Sequence, residues 1–430
     1  MSRTWNFLSL ALLVLVICFF GDDYVAYAPD SGALKIDSGD TSWMIVASAF
    51  VLLMTPGLAF FYGGMVDKKN VISTMLQSFV ALGVISVLWV TVGFSLCFGD
   101  SIGGIIGNPL TYFAFNGVGL APNGDFASTI PFLLFALFQL KFAIITPALI
   151  TGSFAGRIRF RSYILFMVLF ACVIYPPLAH MTWHPDGLLR NLGVLDFAGG
   201  TVVHMSAGFA ALAGAIFLGK RKEVDDQPAN IPFVILGTGL LWFGWFGFNA
   251  GSAFAANADA VKAFANTNLA SATAMITWVF YDRFMNRKMS ALGACIGAIV
   301  GLVAITPAAG FVSLGHSMFI GFIAALVSNF AIRYQKKLAF DDTLDVFASH
   351  GVGGLVGMVL TGILAEDVGL IHGKVETILM HIITLVGVAT FAFTGSYGLY
   401  ALVNAMIPMR VSSDQEQRGL DSSQHGEKLS

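Results

Sequence analysis

Long apolar segments separated by short polar connections make up most of this 430-residue chain. After a shorter apolar run at the N-terminus, eleven such segments follow one another. A helix that spans a bilayer needs about 20 consecutive apolar residues, because the hydrocarbon core is about 30 Å thick. The pattern therefore predicts an all-α polytopic membrane protein with eleven transmembrane helices. Their approximate centres are Leu53, Ile85, Ala143, Val168, Ala211, Leu241, Ile276, Val300, Ala324, Val356 and Val388.

The composition agrees with a membrane protein. Hydrophobic residues make up 57% of the chain and charged residues only 11%, whereas about 25% of the residues of a soluble domain are charged. The formal net charge of −2 says little about partners, and we predict neither a nucleic-acid partner nor a cofactor. The four cysteines lack CxxC spacing, so the sequence indicates neither a disulfide framework nor a cysteine-ligated metal site.

The N-terminus has the pattern of a secretory signal peptide. Arg3 precedes an apolar run from about Phe7 to Phe20, which is shorter than a spanning helix and is followed by polar residues. We predict a signal peptide over residues 1–28, with small residues suited to cleavage at Ala26 and Ala28. Pro29 after them leaves the cleavage site uncertain, and retention as an extra anchoring helix is the alternative.

Basic residues alternate between the connections. By the positive-inside rule, the connections rich in Lys and Arg face the cytoplasm. The mature chain should then start outside and, after an odd number of crossings, end inside, as a multi-pass protein of the cell (inner) membrane. The basic set comprises Lys68, Lys69, Arg157, Arg159, Arg161, Lys220, Arg221, Lys222, Arg283, Arg287, Lys288, Arg333, Lys336, Lys337 and, in the tail, Arg410, Arg418 and Lys428.

Two stretches place a histidine eight residues after an aspartate. Asp196 precedes His204 in DFAGGTVVHMSAG, and Asp342 precedes His350 in DTLDVFASHGVGG. The two stretches enter the membrane from opposite sides, so segments one to five and six to ten are predicted to form an inverted repeat before a final helix, as in many transporters. At about 1.5 Å per residue each histidine lies about 12 Å deep, near the centre. An ionisable ring at that depth indicates function.

The predicted lumen suits a small base better than an ion. The stretch WFGWFGFNAGS, from Trp242 to Ser252, supplies aromatic residues at the outer mouth, where a cation over a ring gains about 0.5–2 kcal/mol. No ring of Asp or Glu follows inward, and an intact cation would lose several kcal/mol in an apolar interior. Deprotonating an amine with a pKa near ~10 costs roughly 4–5 kcal/mol at neutral pH. The permeant is therefore expected to bind as a cation and cross as a neutral molecule.

Several stretches resemble one known family. FYGG, HMTW, DFAGGTVVH, GWFGFNAGS, ITPAAG and DVFASHG occur in that order over the predicted spans. Together they are similar to the ammonium transporter (Amt/Mep/Rh) family, and to its Amt branch rather than its Rh branch. The resemblance implies a homotrimer with one pore in each subunit, ammonium or ammonia as substrate in nitrogen uptake, methylammonium as a candidate second substrate, and no enzymatic activity.

The resemblance also implies roles for individual residues. An outer ammonium recruitment site would contain three of them, Phe142, Trp183 and Ser252. Below it, Phe142 and Phe248 would form a gate. His204 and His350 would be the paired pore imidazoles. Asp196 would be the carboxylate near the mouth, in a structural or proton-handling role. Trp245 and Thr306 would flank the path.

The resemblance divides the rest of the chain into a membrane domain over residues 41–408 and a cytoplasmic regulatory tail over 409–430. In this family such a tail docks on the inner face of the pore and helps a PII-type signalling protein to block it. Charge alone would predict only a solvated end.

Lys141, next to Phe142, departs from the family pattern. The family usually has a small or uncharged residue there. We favour a side chain that points away from the pore, because neighbours on a helix are about 100° apart. The alternative is a positive charge that weakens cation binding at the recruitment site.

Other functions remain open. A neutral ammonia channel differs from an electrogenic ammonium transporter only in net charge movement, which the sequence does not decide. An ammonium sensor would add a signalling domain, and only about twenty polar residues follow segment eleven. A membrane-embedded metalloenzyme is the most distant alternative, because two histidines without clustered carboxylates do not supply three or four ligands.

Overall fold

The computed structural model describes residues 3–21, 34–222 and 227–429. The signal-peptide cleavage site predicted at residues 26–28 lies outside these ranges. The helices α1 to α16 are, in chain order, Arg3–Phe20, Ser38–Met65, Val71–Leu88, Phe94–Phe98, Phe132–Ile150, Phe160–Val173, Tyr175–Trp183, Leu188–Asn191, Ser206–Leu218, Ile231–Ala250, Ala258–Phe284, Ala291–Ile305, Leu314–Gln335, Val352–Leu364, Val375–Met406 and Ser413–Arg418. The strands β1 (Ser101–Ile102) and β2 (Ile106–Gly107) pair antiparallel in a small hairpin.

Within these ranges, nine stretches are long and apolar enough to cross a membrane: Ser38–Met65, Lys68–Phe98, Phe132–Phe154, Phe160–Asn191, Gly200–Leu218, Ile231–Ala253, Leu314–Gln335, Phe347–Leu364 and Val375–Met406. The prediction of a polytopic helical membrane protein is thus confirmed. The two other predicted segments correspond to α11, which carries charged residues at both ends, and to α12. With 15 residues, α12 is only about 22 Å long. The count of eleven spans therefore stays a prediction.

Equivalent helices of the two predicted repeats pack against each other in opposite directions. At one end of the first pair, the Trp43 indole of α2 donates to the Ala250 carbonyl of α10 at 3.4 Å. At the other end, the Asn230 amide donates to the Gly64 carbonyl at 3.0 Å. The last helices of the repeats, α9 and α14, meet at Gly208, where a Cβ would lie 2.2 Å from the Gly351 nitrogen. Small residues thus allow the close backbone contact at the centre.

The alternating helices divide the connections into two sides. One side carries the connections 99–131, 184–199 and 306–313, and we call it the vestibule side. The opposite side carries the connections 155–159, 219–230 and 336–346, and we call it the tail side. The Arg157 guanidinium joins connections on the tail side, because it donates to Thr343 Oγ1 at 2.6 Å and to the Asp341 carbonyl.

The C-terminal tail packs on the tail side of the membrane domain. Asp421 accepts hydrogen bonds from the backbone amides of Ile72 and Ser73, at 3.0 and 2.7 Å, and so caps the first turn of α3. Leu420 N donates to Asn70 Oδ1 at 2.9 Å. Burial raises the pKa of the Asp421 carboxyl, although the backbone donors partly offset this. The described tail is therefore an integral part of the fold, unlike the solvated end that its charge predicts.

Candidate functional site

A cavity of about 420 Å³ opens on the vestibule side. It brings together residues that are far apart in the chain, because α5 begins beside it and α7 and α10 end beside it. Three predicted recruitment residues, Phe142, Trp183 and Ser252, line this vestibule cavity. The remaining lining residues are Asp125, Phe126, Phe135, Gln139, Thr182, Arg190, Gly193, Val194, Leu195, Asp196, Phe197, Phe254 and Phe311.

The recruitment residues are held by local contacts. The Trp183 indole donates to the Asp196 carbonyl at 3.2 Å, and its ring meets the Phe142 ring edge-to-face with centroids 5.7 Å apart. Ser252 Oγ donates to the Phe248 carbonyl at 2.9 Å, so the lone pairs of that hydroxyl remain able to accept a hydrogen bond. The arrangement offers aromatic faces and one hydroxyl to a small cation.

A pair of buried phenylalanines lies between the vestibule cavity and His204. The rings of Phe142 and Phe248 lie 4.2 Å apart between centroids with an interplanar angle of 32°. Both side chains are buried. The predicted gate residues are thus in contact, with Phe248 lying 6.0 Å from the His204 ring on the other side.

The two predicted pore histidines face each other in the interior. The Nδ1 atoms of His204 and His350 are 3.3 Å apart, and both side chains are buried. A hydrogen bond between two Nδ1 atoms requires one of them to carry a proton and the other to accept it. A proton shared between these two atoms would place the two rings in different tautomers or charge states.

Trp245 and Thr306 hold His204 from the side. The His204 ring stacks on the Trp245 indole with centroids 5.3 Å apart. Its Nε2 lies 3.3 Å from Thr306 Oγ1, which also accepts a hydrogen bond from Trp245 Nε1 at 2.9 Å. The residues predicted to flank the path thus contact the histidine and restrict its orientation.

Asp196 starts the helical turn that carries His204. Its carboxylate accepts hydrogen bonds from the amides of Gly199, Gly200 and Thr201 and from Thr201 Oγ1, at 2.5 to 2.8 Å. These donors open a π-helical turn, Gly200–Met205, that precedes α9. Such turns often occur at functional sites, because the extra residue redirects side chains. Asp196 therefore positions His204 through the backbone.

Asp342 has the equivalent place before His350. Its Oδ2 accepts a hydrogen bond from the Phe347 amide at 2.7 Å, at the start of the π-helical turn Phe347–Gly351. Gln335 Nε2 approaches the same oxygen at 3.4 Å. Oδ1 has no hydrogen-bond partner among the described residues. Burial raises the pKa of the Asp342 carboxyl to about 6, although the hydrogen bond from the Phe347 amide partly offsets this effect.

A second, small cavity of about 10 Å³ lies on the tail side of His350. Its walls combine apolar side chains with the polar groups of Tyr62, Ser349 and His350. The histidine pair thus lies between two cavities, with the phenylalanine pair above it. The lining residues are Phe61, Tyr62, Met65, Ile296, Ile299, Leu344, Ser349 and His350.

Lys141 lies on the outer surface of α5. It is partly exposed, like Leu134 and Leu137 on the same face, whereas Phe142 is buried. Lys141 does not line the vestibule cavity in the described structure. This placement agrees with the favoured prediction that the lysine points away from the pore.

Replacing Lys141 by serine should therefore change the initial rate of ammonium uptake less than twofold, because the lysine side chain leaves the vestibule untouched. Uptake measured at matched protein amounts tests this. The control is Leu137→Ser, which puts the same polar group on the same helix face. A large gain for Lys141→Ser alone would mean that its charge opposes cation binding.

Sequence reasoning missed two polar residues of the vestibule, Gln139 and Thr182. Both side chains are buried and line the cavity. In the sequence each of them is only a single polar residue within an apolar segment. Many residues with a purely structural role have the same pattern. His180 is one of these structural residues, because both of its ring nitrogens are hydrogen-bonded, one to the Cys97 carbonyl and the other to Ser101 Oγ.

Comparison with known proteins agrees with this architecture. A sequence profile of the Ammonium Transporter Family matches residues 42–429. An ammonium transporter of Aquifex aeolicus is 45% identical over 427 residues, which cover 98% of this chain and 99% of the relative. An ammonium transporter of Bacillus subtilis is 44% identical over 399 residues, which cover 91% and 98%.

Solved structures have the same fold. The crystal structure of Saccharomyces cerevisiae Mep2 matches with a TM-score of 0.83 at 35% identity, covering 88% of this chain and 89% of Mep2. A structure described as a Sensor Amt Protein matches with a TM-score of 0.84 at 30% identity, covering 90% and 98%. From the profile match and the relatives, the chain belongs to the ammonium transporter family.

Proposed function

We propose that this protein moves ammonium across a membrane by binding NH4+ in the vestibule, removing a proton and conducting NH3 past His204 and His350. The observation that carries the proposal is the buried histidine pair, with Nδ1 atoms 3.3 Å apart, below an aromatic vestibule. Membership of a family whose relatives are named ammonium transporters supports the substrate.

Recruitment relies on Trp183, Phe142 and Ser252. A cation over an aromatic face gains about 0.5–2 kcal/mol, more when it is desolvated. The Ser252 hydroxyl accepts one N–H of the ammonium ion and donates its own proton to the Phe248 carbonyl. This combination binds a small cation that carries hydrogen-bond donors.

Charge is lost at the phenylalanine pair. Phe142 and Phe248 pack against each other between the vestibule cavity and the His204 ring. An intact cation would lose several kcal/mol of solvation there. Neutral ammonia crosses more easily, while the histidine ring nitrogens replace the hydrogen bonds that it loses on leaving water.

In this proposal the proton that NH4+ gives up passes to the histidine pair and leaves on the tail side, so one positive charge crosses with each NH3 and transport is electrogenic. The 3.3 Å separation of the His204 and His350 Nδ1 atoms supports a relay, since a hydrogen-bonded imidazole pair can pass a proton through its ring nitrogens. Trp245 and Thr306 flank the path and fix the His204 ring. Asp196 acts through the backbone of its turn, with direct proton handling as the alternative role.

We further propose that the vestibule side faces outward, after removal of residues 1–28, and that the tail side faces the cytoplasm of a cell (inner) membrane. Basic connections on the tail side support this orientation. The functional unit would be a homotrimer. The ordered tail that caps α3 supports a regulatory role in which a PII-type protein binds on that face.

An ammonium pulse on proteoliposomes of the purified protein tests the proposal. We expect ammonium flux together with a transient current that protein-free liposomes lack. Flux without current would favour the neutral ammonia channel. Saturable ammonium binding without flux would favour a sensor, the second candidate, which the likeness to a Sensor Amt Protein supports.

A further inference from the structure

The Arg157 side chain is fully buried on the tail side of the protein. Its Nη1 donates to Thr343 Oγ1 at 2.6 Å, and its Nη2 donates to the Ser153 carbonyl at 2.9 Å and to the Asp341 carbonyl. All three acceptors are neutral oxygens. Burial lowers the pKa of Arg157 to about 10, which still leaves it charged at neutral pH. Taking a charge out of water is costly, so a buried arginine held by neutral oxygens calls for an explanation.

The contacts of Arg157 fix the chain on both sides of Asp342. Asp341 lies directly before it and Thr343 directly after it, and the guanidinium binds both neighbours. The backbone amides of Thr343 and of the following residue also donate to carbonyls of the 152–153 segment, at 3.2 and 3.1 Å. The position of the Asp342 carboxylate therefore depends on Arg157.

Asp342 in turn holds the helical turn that carries His350. Its Oδ2 accepts a hydrogen bond from the Phe347 amide at 2.7 Å, at the start of that π-helical turn. Between these two residues the chain bends at Asp345, which has a left-handed conformation with φ of 54°. This conformation is uncommon for residues other than glycine and persists where surrounding contacts fix it. A shift of Asp342 would therefore be passed on to His350.

Charge links Arg157 to Asp342 as well. Burial raises the pKa of the Asp342 carboxyl, and the nearby Arg157 charge opposes that rise. An ionised carboxylate accepts a stronger hydrogen bond from an amide than a protonated carboxyl does. Asp196, the equivalent residue of the first repeat, instead has four donors from its own turn on its carboxylate. Asp342 has the arginine where Asp196 has those donors.

Several other charged or titratable groups face Asp342. Two of them, Asp341 and Arg221, form an ion pair at 2.8 Å and so largely cancel each other's charge. Arg157 is therefore the cation whose removal should affect Asp342 most. The remaining groups are Tyr62 of α2, Asp345 of the same connection, which shares Gln335 Nε2 with Asp342, and His350 of the following turn.

We propose that Arg157 is a positioning residue for His350, which it fixes through the backbone on both sides of Asp342 and through the charge of that carboxylate. The inference rests on the proposed role of His350 in conduction and deepens it. Arg157 lines neither the vestibule cavity nor the small cavity beside His350 in the described structure. It therefore acts on the 3.3 Å contact between His350 and His204 only through other residues.

Ammonium flux measured against pH in proteoliposomes, with the same pH on both sides, tests the proposal with Arg157→Gln. Without the arginine, the Asp342 carboxyl should stay protonated to higher pH. The pH at which flux is half-maximal on the acidic side should therefore rise by about one unit. Flux that is lost at about pH 6.5 should return at about pH 8, because the carboxyl then ionises. An unchanged profile, or an equal loss of flux at every pH, would overturn the proposal.

Arg161→Gln is the matched control. Arg161 lies four residues further along the chain, near the start of α6, and is exposed. The substitution removes the same charge from the same side of the protein, and the pH profile should remain that of wild type.

Arg157→Lys is the conservative variant, because it keeps the charge but loses the planar fork of donors. Its half-maximal pH should return to the wild-type value, whereas its flux should be lower at every pH. The same upward shift in the lysine and glutamine variants would contradict a role for the charge.

Wild-type vesicles without ammonium flux would overturn the proposed function, whereas active wild type with an unshifted Arg157→Gln variant would overturn this inference alone. If Arg157→Gln fails to accumulate in the membrane, Asp342→Asn decides. The asparagine side chain carries no charge at any pH. Its flux should therefore stay low between about pH 6 and about pH 8, where wild-type flux rises as the carboxyl ionises. A rise like that of wild type would contradict the proposal.

Discussion

Replacing His204 or His350 by alanine should lower ammonium flux by roughly 10- to 100-fold while the protein still assembles. In an apolar passage, the loss of one hydrogen-bond partner raises the free energy of ammonia by about 1–3 kcal/mol. Each 1.4 kcal/mol added to a barrier slows a step tenfold. Each substitution also removes the 3.3 Å contact between the two Nδ1 atoms and with it the proposed proton relay. Flux into proteoliposomes at matched protein amounts measures the effect.

The control for the histidine variants is His372→Ala, because His372 is exposed in a turn on the vestibule side. It should transport like wild type. Size-exclusion chromatography must show the same assembly for every variant. If His204→Ala and His350→Ala fail to assemble, their role is structural. If they assemble and conduct normally, the passage does not depend on the imidazoles.

Asp196→Ala should destabilise the protein by several kcal/mol and abolish most transport. The substitution leaves three backbone amides and the Thr201 hydroxyl without their acceptor. A hydrogen bond to a charged group contributes about 1.5–3 kcal/mol, although water and small backbone shifts will recover part of the loss. The π-helical turn that positions His204 would lose its cap. Thermal unfolding in detergent, together with flux, measures both effects.

The two roles left open for Asp196 separate in the Asp196→Asn variant. Asparagine is nearly the same size and keeps one acceptor oxygen. Its NH2 group, however, replaces the second oxygen and cannot accept hydrogen bonds from the donors of the turn. A structural role predicts that stability and flux fall together. A variant with wild-type thermal stability that has lost its current would instead show that the carboxylate handles protons.

The central elements of the site were predictable because they depend on spacing along a helix. His204 and His350 each follow an aspartate by eight residues, and helical rise converts that spacing into similar depth from opposite sides. Opposed entry then requires antiparallel segments, and α9 and α14 do cross at Gly208 and Gly351. The family resemblance was also right. These inferences needed no knowledge of how side chains pack.

Other features depend on contacts that no local pattern encodes. The π-helical turns before α9 and α14 add one residue to a turn inside uniformly apolar runs, where periodicity gives no signal. Gln139 and Gln77 look alike in sequence, and only the fold places one of them at the vestibule cavity. Likewise, the sequence does not distinguish Asp421 from the other polar residues of the tail. Only the fold shows that it accepts hydrogen bonds from the first backbone amides of α3.

The predicted count of eleven spans stays a prediction for a related reason. The charged ends of α11 and the 15 residues of α12 weaken their apolar signal, whereas the two helices pack on each other and on α13. The apolar length of a segment can be read from that segment alone. Whether neighbouring helices cover its polar groups within the membrane depends on the fold.

The central claim is that charge is removed before the histidine pair, so that only a cation able to release a proton can cross. Potassium resembles ammonium in size but has no proton to lose. The most direct test compares ammonium and potassium flux in the same proteoliposomes under the same gradient. The account predicts rapid ammonium flux and potassium flux no faster than in protein-free vesicles, whereas potassium crossing at a rate similar to ammonium would contradict it.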